Sequence, residues 1–206
     1  MDGGTWAEAH GELYHGIPCR IRIARSDRDA VAEGWRTLER IDDVFNVYRT
    51  DSELGTINAA GPGSHRISPW LADCLRIARE ITRLSDGAWC ATMLPLVRLW
   101  RQASRDGAEP TTQALTAALA TCAPDAWDLD GDSLQVHAPD LAFDLGGLAK
   151  GFAVDLVVSA LRRRGIDDLL VQVGGETACH GRSSAGEPHR IGIPHPDDPD
   201  GSWNAV

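Results

Sequence analysis

The stretch that most limits what this chain can become is FDLGGLAKGFAVD, residues 143 to 155. A short apolar run, Leu141 to Phe143, reads as a strand and leads into Asp144. Gly146 and Gly147 then turn the chain straight into a long helix with an apolar face and Lys150 near its start. Amides in the first turn of a helix lack intrahelical acceptors and lie at the positive end of the helix dipole. Such a start suits an anion, and a phosphate above all. The bare backbone of two glycines lets a ligand, or a metal carried on it, come close to the main chain. A second reading of the same residues is structural: a tight strand-to-helix turn that needs glycine for packing, with Asp144 as its cap. The standard nucleotide loops do not fit. In G-x-x-x-x-G-K-[ST] the lysine follows the second glycine, whereas Lys150 precedes Gly151, and G-x-G-x-x-G is absent both here and at Gly174–Gly175.

The elements around this stretch follow from periodicity and punctuation. Ile17 to Ala24 alternates Ile17, Cys19, Ile21 and Ile23 against Arg20 and Arg22, the pattern of a half-buried strand. Ser26 or Asp27 caps a helix in which Val31, Trp35, Leu38, Ile41, Phe45 and Tyr48 recur at steps of three and four. Tyr48 falls at its frayed end, where a phenol can face a site. Residues 48–63 read as a polar connection with a short apolar centre. Ser68–Pro69 opens a second helix that ends before Gly87. The stretch from Ala88 is strand-like up to Met93 and helical afterwards, and residues 111–121 form a further helix. Trp127 to Leu129 and Leu134 to Val136 flank Asp130-Gly131-Asp132 as a hairpin. The helix after Gly147 runs to about Arg164, where Gly165 stops it. Leu169 to Val173 is a buried strand, His189 to Ile193 another, and the tail from His195 a solvated loop. Residues 1–16 are polar and read as disordered or loosely attached. Hairpins beside strand–helix–strand units give an α+β class: a single domain over residues 17–206, with a mixed sheet and flanking helices.

Composition removes several function classes. With 206 residues, 43% of them hydrophobic, one good core is feasible. The formal net charge is −10, and the one basic run, Arg162 to Arg164, sits at a helix C-terminus, so nucleic acid is not an expected partner. Five cysteines are scattered without a C-x-x-C pair, which indicates neither a disulfide framework nor a zinc knuckle, and fits reduced thiols in the cytoplasm. The N-terminus has no basic region followed by an apolar core, and no apolar run approaches the roughly 20 residues that span a bilayer. The histidines show no H-E-x-x-H or other ligand spacing.

Several stretches together resemble one family, the ApbE flavin transferases. YRTDSELGTINAAG is similar to that family's Y-R-x-x-S-E-L-x-x-(I/L)-N-A, and SDGAWCATMLPLVRLW to its G-A-F-D-P-T segment. FDLGGLAKGFAVD is similar to D-L-G-G-I-A-K-G-Y-A-V-D, LLVQVGGETACHG to the later glycine-pair strand, and HGIPCRIRI to the opening strand. The motifs come in the family's order over about residues 14–195. The resemblance implies an FAD:protein FMN transferase: FAD as substrate, Mg²⁺ as metal, transfer of FMN to a threonine or serine of a target protein, and release of AMP. Some members of the family hydrolyse FAD instead. It implies that Asp144 and Lys150 contact the flavin nucleotide, that His15, Tyr48, Ala88, Trp89 and Cys90 line its pocket, and that the main chain at Gly147 offers a carbonyl to the metal. No catalytic residue is assigned. Cys90 stands where the family has aspartate, Ala91 where it has proline, and His15 and Ile17 replace a methionine and a threonine. The family's H-x-x-D-P-x-T-G and A-D-x-x-x-T motifs have no match, so the resemblance is to a chain lacking the C-terminal third. That implies either an impaired enzyme completed by a second chain or a non-catalytic FAD-binding module.

Overall fold

Strand Ile17–Ala24 (β2) buries Cys19, Ile21 and Ile23 on one face while Arg20 and Arg22 face outward, as its alternation requires. It pairs on one side with Trp6–Leu13 (β1) and on the other with Leu169–Val173 (β6), which itself pairs with Glu176–His180 (β7). The result is a four-stranded sheet of order β1-β2-β6-β7. This computed structural model describes residues 6–13, 16–24, 27–123 and 125–205.

The chain divides into two compact units, residues 1–39 with 153–206 and residues 40–152. The first also holds the opening turns of helix Arg28–Phe45 (α1), whose Trp35 lies against Gly11 of β1, and the later turns of helix Gly146–Arg163 (α6). Of the two expected caps of α1, Asp27 accepts from the Ala30 amide at 2.9 Å through its carboxylate, and Ser26 lies outside the described residues. Close fit shows at Gly34, where an added Cβ would come within 3.0 Å of Ile21 and 3.4 Å of Val157. Gly192–His195 (β8) and Asp198–Ala205 (β9) form a separate two-stranded sheet with an irregular register.

The second unit contains helices Glu53–Ala60 (α2), Pro69–Leu84 (α3), Leu94–Asp106 (α4) and Thr112–Ala120 (α5). Its sheet joins strands Gly63–Arg66 (β3), Trp127–Asp130 (β4) and Ser133–Val136 (β5) in the order β3-β5-β4. Leu54, Leu71, Leu75, Leu134 and Phe143 are fully buried here, and Trp127 meets Phe143 edge-on with ring centroids 5.5 Å apart. Ser68 caps α3 through the Leu71 amide, and the Gly87 amide closes its far end on the Thr82 carbonyl at 2.9 Å.

The class is α+β, but every pairing between the named strands is antiparallel rather than mixed. Residues 6–13 are a paired strand, not a loose terminus. Residues 53–60 are helical, where a connection was expected. Residues 88–93 and 141–143 are irregular rather than strands, because side chains and single backbone bonds satisfy their polar groups. The expected strand at 189–193 is displaced to Gly192–His195, and the expected tail loop is β9. Among the described residues, no helix is long and apolar enough to cross a membrane.

Candidate functional site at the start of α6

The segment before α6 is held in place from two sides. Asn58, near the end of α2, accepts from the Phe143 amide at 2.7 Å and donates to the Phe143 carbonyl at 2.9 Å. One residue on, the Asp144 amide donates to the Ala91 carbonyl at 2.7 Å. These bonds fix the direction in which the helix starts and place residues 88–93 alongside it.

At the turn itself, Asp144 Oδ1 accepts from the Gly146 amide at 2.9 Å. The carboxylate therefore satisfies the first amide of α6, the structural role that its position allows. Lys150 Nζ donates to the Gly146 carbonyl at 3.1 Å, so its ammonium folds back over the first turn. Gly147 has a definite reason to be glycine: an added Cβ would lie 3.2 Å from Trp89 Nε1. The indole packs against bare backbone at the helix start. Asp144, Gly147, Lys150 and Trp89 are thus brought together.

Tyr48 lies past the end of α1 and is 61% exposed. Its amide donates to Asn46 Oδ1 at 3.0 Å, and the buried Asn46 side chain donates in turn to Asp42 Oδ1 at 3.0 Å. Its hydroxyl accepts from Arg101 at 3.3 Å, and the guanidinium lies 5.9 Å from the ring centroid. The Tyr48 hydroxyl is the main influence holding Arg101 above the usual arginine value, and the charge of Asp144 adds to it. Arg101 is thus the partner of both the Tyr48 hydroxyl and the Tyr48 ring. Sequence reasoning missed it, and no motif marks it out from the other arginines on α4.

The remaining motif residues around Tyr48 are scaffold. Buried Ser52 donates to the Asn46 carbonyl at 2.6 Å and accepts from the Gly55 amide at 2.9 Å, capping α2. Arg49 bonds Asp51 at 3.0 Å, Asp43 at 2.8 Å and Asp42 at 2.9 Å, which raises its pKa and lowers that of Asp51.

Ala88 is exposed, whereas Cys90 is buried and lines a cavity of about 500 Å³ together with Cys122, Thr92 and Arg79. His15 lies outside the described residues. Among the described residues, no group of three or more His, Cys, Asp or Glu side chains could hold a metal. A backbone carbonyl at Gly147 with one capping carboxylate does not make the oxygen shell that Mg²⁺ requires.

Antiparallel sheets flanked by helices, with a lysine folded over the start of α6 and an indole packed on its glycine, define a protein of the α+β class. The ApbE family model matches residues 15–206, and the chain belongs to the ApbE family. It is 33% identical over 164 residues to the FAD:protein FMN transferase of Vibrio cholerae, covering 78% of this chain and 49% of that protein. The protein of the same name from Treponema pallidum is 30% identical, with 81% and 50% covered. Among solved structures, the flavin transferase ApbE from Vibrio cholerae superposes with a TM-score of 0.85 at 29% identity, covering 94% of this chain and 65% of that one. The apo form of Pseudomonas stutzeri flavinyl transferase ApbE gives 0.82 at 26% identity, with 92% and 63% covered. The chain spans about half the length of the curated relatives it matches.

Proposed function

We propose that this chain serves FAD:protein FMN transfer, in which a threonine or serine hydroxyl of a target flavoprotein attacks the FMN phosphorus of FAD and AMP leaves. The observation that carries this reading is the start of α6: Lys150 folded over the first turn and the Trp89 indole packed on Gly147. Breaking a pyrophosphate requires charge on its oxygens to be neutralised, and the Lys150 ammonium at the helix start provides that. Trp89 and Tyr48 supply flat faces for rings, with the Arg101 guanidinium beside Tyr48 and exposed Ala88 next to Trp89. The five thiols, all free among the described residues, suit a reducing, cytoplasmic setting.

Because the donors described do not form a Mg²⁺ shell, no step is routed through the metal. A second reading, an FAD-binding module or FAD-hydrolysing relative that acts with a partner chain, is favoured by one feature. Cys90, where the resemblance places an aspartate, is a buried thiol facing a separate cavity. Calorimetric titration of the purified chain with FAD, with and without Mg²⁺, followed by an assay for AMP in the presence of an acceptor protein, separates the readings. Binding with AMP release supports transfer, and binding without it supports the module. A titration with no heat and no displacement of a fluorescent flavin overturns both.

A further inference from the structure

Behind the Trp89 segment the chain brings two thiols to one place. Cys90 is buried and Cys122, just past α5, is half-buried, and both line the cavity of about 500 Å³. Thr92 bridges them: its hydroxyl lies 3.9 Å from Cys90 Sγ, and its carbonyl accepts from Cys122 Sγ at 3.7 Å. Burial first, and the neighbouring Cys90 thiol second, push Cys122 up to about 11. Arg79 and Arg83 line the same cavity, which disfavours a bound cation.

We propose that Cys90 and Cys122 are a redox modification site that closes to a reversible disulfide, tying the Trp89-bearing segment to the end of α5. The oxidant is a small-molecule disulfide of the glutathione class. Cys122, the more accessible thiol, loses its proton and attacks one sulfur of the oxidant. That S–S bond breaks, and one small thiolate leaves and takes up the proton. Cys90 then attacks the Cys122 sulfur as thiolate and expels the second small thiol, which receives the Cys90 proton. Two protein thiols are oxidised, and one disulfide is reduced to two thiols.

The test equilibrates the full chain in mixtures of reduced and oxidised glutathione, quenches it, unfolds it and counts free thiols while reading the intact mass. The count is expected to fall from the five cysteines of the sequence to three, with the loss of two hydrogens in mass and a fragment joining Cys90 to Cys122. Excess reduced glutathione restores all five. Cys90→Ser and Cys122→Ser each abolish the internal bond and trap a mixed glutathione adduct on the remaining thiol. Should either variant fail to fold, the linked fragment from the unaltered chain decides. Five thiols at the most oxidising ratio, a stable mixed adduct in the unaltered chain, or a bond to Cys19, Cys74 or Cys179 overturns the proposal. None of these readouts depends on flavin binding.

Discussion

Asp144 combines a cap and a charge, and substitution separates them. Asparagine keeps an acceptor for the Gly146 amide, whereas alanine removes it. Asp144→Ala is expected to lose about 1 kcal/mol in urea unfolding, the usual worth of a helix cap, and Asp144→Asn to stay near the unaltered chain. Equal losses in both would mean the charge, not the cap, stabilises the turn. Lys150→Ala is expected to weaken FAD binding about tenfold or more, since a charge-assisted contact to phosphate is worth roughly 1.5–3 kcal/mol. An unchanged titration would take Lys150 out of the site. At this scale the sequence was informative where charge sits next to bare backbone, as at Asp144, Gly147 and Lys150. It was silent on Arg101, whose meeting with Tyr48 depends on how α4 packs, and on Asn58, whose partner lies 85 residues away.

The sequence of α2 suggests a connection because ELGTINAA has a glycine, a threonine and an asparagine within eight residues and no marked apolar stripe. What makes it a helix is local and tertiary together: Ser52 caps it, and Asn58 anchors it to Phe143. Asn58→Ala removes both bonds and leaves the Phe143 main chain unpaired. The expected cost is about 1–3 kcal/mol, or roughly 2–10 °C in the melting temperature. A melt that matches the unaltered chain would show the anchor to be dispensable. By contrast, α3 was legible because Ser68, Pro69 and Gly87 mark both ends of a regular apolar stripe. Strand β1 escaped notice for the opposite reason. Its inward positions include Ala7, Ala9 and Gly11, and a Cβ on Gly11 would come within 2.3 Å of the Trp35 ring. The bulk that buries this strand is supplied by α1, so periodicity in β1 itself is faint.

The chain carries a net charge of −10, and arginine–carboxylate pairs offset part of its acidity locally in both units. Burial raises Glu8, but its pairing with Arg20, and the nearby His10 and Arg22, hold it below its ordinary 4.5. Arg49 holds Asp51 below 3.8, and Arg83 holds Glu80 below 4.5. For carboxylates lowered by folding, the stabilisation is complete above the ordinary value and is lost as pH falls through the folded one. Urea midpoints are therefore expected to hold at neutral pH and decline below about pH 4.5, by less in high salt because these pairs are exposed. A midpoint that rises on acidification would show that relief of net negative charge outweighs the pairs. Family membership was legible at this scale, since motif order survives even where single elements are misread. The β8–β9 pair was not, because its prolines, glycine and aspartates imitate a loop and its register is irregular. The two bonds from Asn58 carry one more consequence. The Phe143 amide belongs to no sheet or helix, yet a carboxamide holds it as a neighbouring strand would. In deuterated solvent that proton should exchange as slowly as those of the deepest strands, a quiet point in a stretch that looks irregular.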